Sequence, residues 1–225
     1  MQFRHELKFE INMADMVTAR ARLKAVCKYD SNTKSADGRY FIRSLYFDNP
    51  NDKALKEKLD GVRDREKYRI RYYNGDTSFI RLEKKVKRDR LGYKQAAKLT
   101  VTEAQALANG DFEWAKDDSR PLVRELYNAM RVGGFRAKTV VDYTREAFVF
   151  DAGNVRVTFD SNIRTGLSST DFLNPDCPTV PVSGNPIIME VKWDGYLPSI
   201  IKDAVAVNNR RQGAFSKYAA CRAYD

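Results

Sequence analysis

A strict two-residue alternation recurs along this chain and restricts the fold more than any other feature. Over residues 3–11, Arg4, Glu6, Lys8 and Glu10 fall on one side, and Phe3, Leu7, Phe9 and Ile11 fall on the other with His5. Side chains alternate faces along a strand but not along a helix, so this is strand periodicity. The period returns at 65–73, where Lys67, Arg69, Arg71 and Tyr73 oppose Tyr68, Ile70 and Tyr72. It returns at 79–87, where Arg81, Glu83, Lys85 and Lys87 oppose Ile80, Leu82 and Val86. Lys84 interrupts that apolar side and is expected near an end or an opening. Asn74-Gly75-Asp76 between these two runs is a hairpin-turn signal. Residues 139–150 carry Tyr143 and Arg145 on one face, and 155–160 set Arg156, Thr158 and Asp160 against Val155, Val157 and Phe159. Residues 187–193 set Glu190 and Lys192 against Met189, Val191 and Trp193. The aromatic-rich run 40–48 is a further strand, stopped by Asn49-Pro50.

Helical patterns lie between the strands. They are expected at about 14–27, at 55–61, from a Thr100 or Thr102 cap to Gly110, at 121–132 ending on Gly133-Gly134, and in the tail after Pro198. Residues 166–186, rich in Ser, Pro and Asn, are expected to form a long surface loop. No repeat, low-complexity tract or linker divides the sequence, so a single domain over 1–225 is expected.

The formal charge of +10, from 40 Lys and Arg against 30 Asp and Glu, favours anionic partners. Nucleic acid, a membrane surface and phosphorylated small molecules all satisfy that balance. Cys27, Cys177 and Cys221 are far apart and are expected to be free thiols in a reducing, cytoplasmic setting. No signal-peptide core and no run long enough for a membrane helix is found. His5, the single histidine, has no partner motif, which argues against Ser-His-Asp and Cys-His chemistry.

The ionic strand faces carry the functional signal. A sheet with one solvated face explains any one of them. Taken together they are biased: Arg4, Lys8, Lys67, Arg69, Arg71, Arg81, Lys85, Lys87, Arg145, Arg156 and Lys192 outnumber Glu6, Glu10, Glu83, Asp160 and Glu190. If the apolar faces pack outward on helices, the ionic faces line the inside of a barrel. Cations gathered there call for an anion between them, and Arg suits phosphate oxygens. The carboxylates among them are candidates for a divalent metal.

The segments Arg4-x-Glu6-x-Lys8, LYFDN (45–49), YRIRYY (68–73), LEKKVK (82–87), YTREAF (143–148), RVTFD (156–160), MEVKW (189–193) and FSKYAACR (215–222) resemble, in order, the catalytic domain of the vacuolar transporter chaperone (VTC) family. These are polyphosphate polymerases of the triphosphate tunnel metalloenzyme (CYTH-like) superfamily. The resemblance implies an α+β fold, with an antiparallel β-barrel forming a basic tunnel and helices packed around it. It implies transfer of the γ-phosphate of ATP to a growing inorganic polyphosphate, assisted by Mn2+ or Mg2+. By position, Arg69, Arg71, Arg145, Arg156 and Lys217 look like the catalytic cations, with Lys217 on the C-terminal helix near the tunnel mouth. Arg4, Lys8, Lys85, Lys87 and Lys192 look like substrate-binding residues. Glu190 looks like the metal ligand, with Glu6 and Glu83 as assistants. Arg4 stands where triphosphatases and class IV cyclases carry a first glutamate, which favours the polymerase branch over a two-metal site. The alternatives are a triphosphatase in the same tunnel and a non-catalytic polyanion-binding module. Nucleic acid is not an expected partner, because the strand aromatics fall on the apolar side. Tyr143 is expected to pack, and Arg210-Arg211 either extends the basic track or is solvated.

Overall fold

The alternating segments become strands, and the signals between them set where each strand stops. A computed structural model describes residues 4–31, 33, 35, 37–88, 91–207 and 210–224; Phe3 lies outside them. The first strand is β1 (His5–Ile11). Asn12 then starts α1 (Met13–Val26): its side chain accepts from the Asp15 amide, and the Asp15 carboxylate accepts from the Asn12 N–H. The chain continues through β2 (Lys28–Tyr29), β3 (Arg39–Asp48), α2 (Lys53–Leu59), β4 (Arg65–Tyr73), β5 (Asp76–Arg88) and β6 (Leu91–Leu99). Next come α3 (Val101–Ala108), α4 (Pro121–Arg131), β7 (Arg136–Phe150), β8 (Val155–Thr165), β9 (Val180–Pro181), β10 (Ile187–Trp193), α5 (Ser199–Ala204) and α6 (Lys217–Cys221). The fold is α+β. The strands run β1-β10-β8-β7-β3-β4-β5-β6, with β2 on β7 and β9 on β8. The β1–β10, β10–β8, β3–β4, β4–β5 and β5–β6 ladders are antiparallel.

Two compact units interleave in sequence. The first comprises Met1–Phe41, Tyr143–Ile163 and Pro181–Phe215; the second comprises Ile42–Asp142, Arg164–Val180 and Ser216–Asp225. No linker marks them, because β3, β7 and β8 each pass from one to the other. In the first unit, Met16, Ala19 and Leu23 of α1 and Ile201 of α5 pack with Val157, Phe159, Met189 and Val191. In the second, Leu107 of α3 and Leu122, Val123 and Leu126 of α4 pack with Tyr68, Ile70, Tyr72, Ile80 and Leu82. The apolar strand faces are therefore the helix-covered ones, as the alternation requires.

Arg43, Glu146 and Lys84 on the covered faces are paired. The Arg43 guanidinium donates to both oxygens of Asp142, at 2.9 and 2.8 Å. Arg20 of α1 donates to Glu146 at 2.8 Å. Lys84, the break in the apolar side of β5, is held at 2.8 Å by Glu66 and at 3.1 Å by Glu125 of α4, over the Tyr68 ring. It is thus tied to a helix. The strand β6 has no counterpart in the sequence reading: Tyr93, Ala97 and Leu99 share one side opposite Lys94 and Lys98, but Gln95 interrupts that side and Gly92 and Ala96 weaken the contrast.

The β4–β5 turn has positive φ at both central residues, Asn74 (52°) and Gly75 (73°), as a primed hairpin turn requires. Gly75→Ala is expected to lower the unfolding free energy by about 1–2 kcal/mol, since a Cβ in this backbone region is strained though no neighbouring atom obstructs it. Urea denaturation with an unchanged m-value checks this.

Candidate polyanion site

Each unit carries an ionic sheet face opposite its helix-covered one. In the first unit this face is built by register. Lys8 pairs with Glu190 and Glu6 with Lys192 across β1 and β10, while Glu190 pairs with Thr158 and Lys192 with Arg156 across β10 and β8. Lys8 Nζ lies 2.9 Å from Glu6 and 3.4 Å from Glu190. Lys192 contacts Glu190 and lies 3.6 Å from Glu6. Burial alone would discharge Lys8, but the Glu190 and Glu6 carboxylates outweigh it and hold the ammonium well above its ordinary pKa.

Arg145 of β7 is gripped bidentately by Asp160 of β8, at 2.6 and 2.7 Å. Burial opposes its charge, and the Asp160 carboxylate overrides burial. The guanidinium also lies 5.4 Å from the Tyr143 ring centre, so Tyr143 packs against a site cation. Arg156 is held by Asp30 at 2.7 Å and donates to the Tyr40 hydroxyl at 2.8 Å. On this face Lys8, Lys192, Arg145 and Arg156 are answered by Glu6, Glu190, Asp160 and Asp30. The expectation that such cations require an external anion is therefore corrected here: carboxylates of the chain already balance them.

The second unit differs. Pairing Lys67 with Lys85, Arg71 with Arg81, Lys85 with Lys94 and Arg81 with Lys98 places cation opposite cation on β4, β5 and β6. Glu83 sits among them, opposite Arg69 and 1% exposed. Its Oε2 takes Arg69 at 2.8 Å and Arg71 at 3.3 Å, and its Oε1 takes Lys94 at 2.9 Å. Burial would favour the neutral acid, but Arg71, Arg69 and Lys94 outweigh it and hold the carboxyl far below its ordinary 4.5. Arg69 also donates to the Tyr46 hydroxyl at 2.9 Å.

Of the residues singled out from sequence, Lys8, Lys192, Glu6 and Glu190 form one contact group, and Arg69, Arg71 and Glu83 form another. Arg145 and Arg156 have their own carboxylate partners. Lys85 and Lys87 lie on the second unit's cationic face by register. Arg4 is not drawn into these groups. It pairs with Asp194 at 2.9 Å and donates to the Asn154 carbonyl. Lys217 starts α6, which is fixed by the Tyr218 hydroxyl donating to Asp48 at 2.9 Å and by Tyr218 stacking on Tyr46. Arg210 is engaged by Asp15 at 2.6 Å. His5 is exposed and stacks on Trp193. None of the three cysteines forms a disulfide.

Sequence reasoning did not single out Asp30, Tyr40, Tyr46 or Lys94. The two tyrosines occupy the ionic side of β3, where hydroxyls replace charges and hide the alternation. Asp30 comes from a connection with no period.

Among the described residues, no group of three or more His, Cys, Asp or Glu side chains is gathered as a metal cage. Glu6 and Glu190, bridged by the same two lysines, are two carboxylates close together. The Thr158 hydroxyl opposite Glu190 is buried with no hydrogen-bond partner. Oxygen donors of this type suit Mg2+ or Mn2+, which keep waters and phosphate oxygens in their remaining positions. These residues fit a divalent ion. Glu83, with no second carboxylate beside it among the described residues, does not.

Residues 3–224 match the family profile of the VTC domain. The chain belongs to the VTC domain family. No curated protein matches it. Among solved structures, the VTC domain is similar to a putative adenylate cyclase from Bacillus halodurans, at 12% identity and a TM-score of 0.52, covering 90% of this chain and 86% of that one. It is also similar to the PH1819 protein of Pyrococcus horikoshii OT3, at 14% identity and a TM-score of 0.44, covering 90% and 84%. At these identities the likeness concerns fold alone. The profile match gives the family, and the likeness to the solved structure gives the fold. No helix among the described residues is long and apolar enough to cross a membrane.

Because Glu83 is depressed in the folded state, it stabilises the protein above its ordinary 4.5, and that contribution is lost as pH falls below it. Glu83→Gln is expected to lower stability at pH 7 by about 3 kcal/mol, as breaking a buried pair does. The gap from wild type is expected to narrow as pH falls from 7 towards 3. Denaturant titrations across that range check the sign; a constant gap contradicts it.

Proposed function

We propose that this VTC domain is a polyphosphate polymerase, transferring the γ-phosphate of ATP to a growing inorganic polyphosphate chain on its basic strand faces. The observation that carries the reading is the set of shielded cations held in fixed orientations: side-chain exposure is 13% for Arg145, 19% for Lys8, 18% for Arg69 and 6% for Arg71. Shielding strengthens their pull on an anion, and pre-set orientation removes reorganisation at the moment of reaction.

Phosphoryl transfer asks little covalent work of a protein; it asks for positioning and for charge on the equatorial oxygens. Arg145, oriented by Asp160, and Arg156, oriented by Asp30 and Tyr40, would grip the triphosphate. Arg69 and Arg71 would bind oxygens of the donor or the growing chain. Lys8, Lys192, Lys85 and Lys87 would bind neighbouring phosphates as compact charges. Lys217 would act from the N-terminal end of α6. Glu190 and Glu6 would hold a divalent cation, which would supply charge neutralisation for the phosphate groups. Arg4, engaged by Asp194, would support the site from its margin. A cytoplasmic setting, where ATP is available and thiols stay reduced, belongs to the same reading.

Incubation with ATP and Mn2+ or Mg2+, with products resolved on a urea gel, tests the reading. Chains longer than three phosphates are expected, and Arg145→Ala should abolish them. Phosphate release without chains would replace the polymerase by a triphosphatase. Anion binding without turnover would leave a binding module.

A further inference from the structure

We propose that Glu83 is an internal counter-anion that competes with the bound polyanion for Arg69, Arg71 and Lys94, and so sets how tightly this face holds phosphate. The inference rests on the polyanion-binding reading above and adds a residue that tunes affinity. Cross-strand register surrounds Glu83 with cations. Arg69 lies directly opposite on β4, Arg71 lies one step along, and Lys85 and Arg81 flank Glu83 at i+2 and i−2. On the first unit's face Lys8 and Lys192 share two carboxylates, Glu6 and Glu190, while Arg145 and Arg156 close on Asp160 and Asp30; here one carboxylate serves three cations at 2.8–3.3 Å.

An ordinary structural ion pair needs one partner. Three cations on one buried carboxylate offer two guanidinium groups and an ammonium, the donors that take phosphate oxygens. Glu83 thus takes hydrogen bonds from Arg69 Nε and Lys94 Nζ in the absence of ligand, while Arg71 Nε lies beside it at 3.3 Å as an ion pair without a hydrogen bond. The carboxylate prevents the self-repulsion that Arg69, Arg71 and Lys94 would otherwise suffer, and it keeps their geometry ready. A triphosphate or polyphosphate must share or displace these contacts, so the carboxylate weakens anion binding and favours release. This role is incompatible with Glu83 as a metal ligand, since a divalent ion takes several oxygen ligands and no second carboxylate contacts Glu83 among the described residues.

Titration calorimetry with inorganic tripolyphosphate in EDTA, on wild type and Glu83→Gln, tests the proposal without relying on turnover. Glu83→Gln is expected to bind at least threefold tighter. Its ligand-free melting temperature should fall below that of wild type, and its rise on adding tripolyphosphate should exceed that of wild type. Equal or weaker binding by the folded variant would overturn the proposal. So would unchanged binding in EDTA combined with a raised Mn2+ requirement for activity, which would make Glu83 a metal ligand after all. If Glu83→Gln is unfolded without ligand, saturating tripolyphosphate should restore its far-UV circular dichroism, and failure to do so would also overturn the proposal. Wild type that binds tripolyphosphate with no effect of the substitution defeats this inference alone; wild type that binds none defeats the polyanion reading as well.

Discussion

Charged side chains withdrawn from water are stable only when something of opposite sign meets them, and that constraint organises both ionic faces of this protein. In the first unit the answer comes from cross-strand register and from one connection. Lys8 and Lys192 share Glu6 and Glu190, Arg145 closes on Asp160, and Arg156 closes on Asp30. In the second unit Glu83 alone, nearly fully buried, serves Arg69, Arg71 and Lys94. Among the described contacts, one carboxylate thus serves three cations on the face built from the β4–β5 hairpin and β6, where the first unit's face pairs two lysines with two glutamates.

The same constraint explains why the helices lie where they do. Tyr68, Ile70, Leu82 and Ile80 on one side of the hairpin are covered by α3 and α4, while Val157, Phe159, Met189 and Val191 meet α1 and α5. Where a charge falls on a covered face it is pinned at once, as Arg43 is by Asp142 and Lys84 by Glu66 and Glu125. The free faces carry the remaining charge, and on the proposed function their fixed guanidinium groups would hold phosphate.

Much of this was legible in the sequence, because period-two alternation with charges on one side survives without tertiary information. The strands containing Lys8, Arg69, Glu83, Arg145, Arg156 and Glu190 follow from it, as does the Asn74-Gly75 turn. What escaped has physical reasons. In β6 the apolar side of Tyr93, Ala97 and Leu99 is broken by Gln95 and set against Gly92 and Ala96, so its period is weak. Tyr40 and Tyr46 present hydroxyls at the ends of rings, so β3 looks apolar on both sides while its tyrosines orient Arg156 and Arg69. The balancing carboxylates were visible as residues but not as partners, since Asp30 meets Arg156 across more than a hundred residues of chain. Arg4 looked like part of the basic face and instead met Asp194 at the start of the following turn.

The central claim is that the shielded cations of the strand faces bind a phosphate chain. A crystal structure of the protein with inorganic tripolyphosphate tests it most directly. The account predicts phosphate oxygens within hydrogen-bond distance of the guanidinium or ammonium groups of Lys8, Arg69, Arg71, Arg145 or Arg156. Tripolyphosphate bound instead to exposed lysines such as Lys53 or Lys28, with the strand-face cations still closed on their carboxylates, would contradict it.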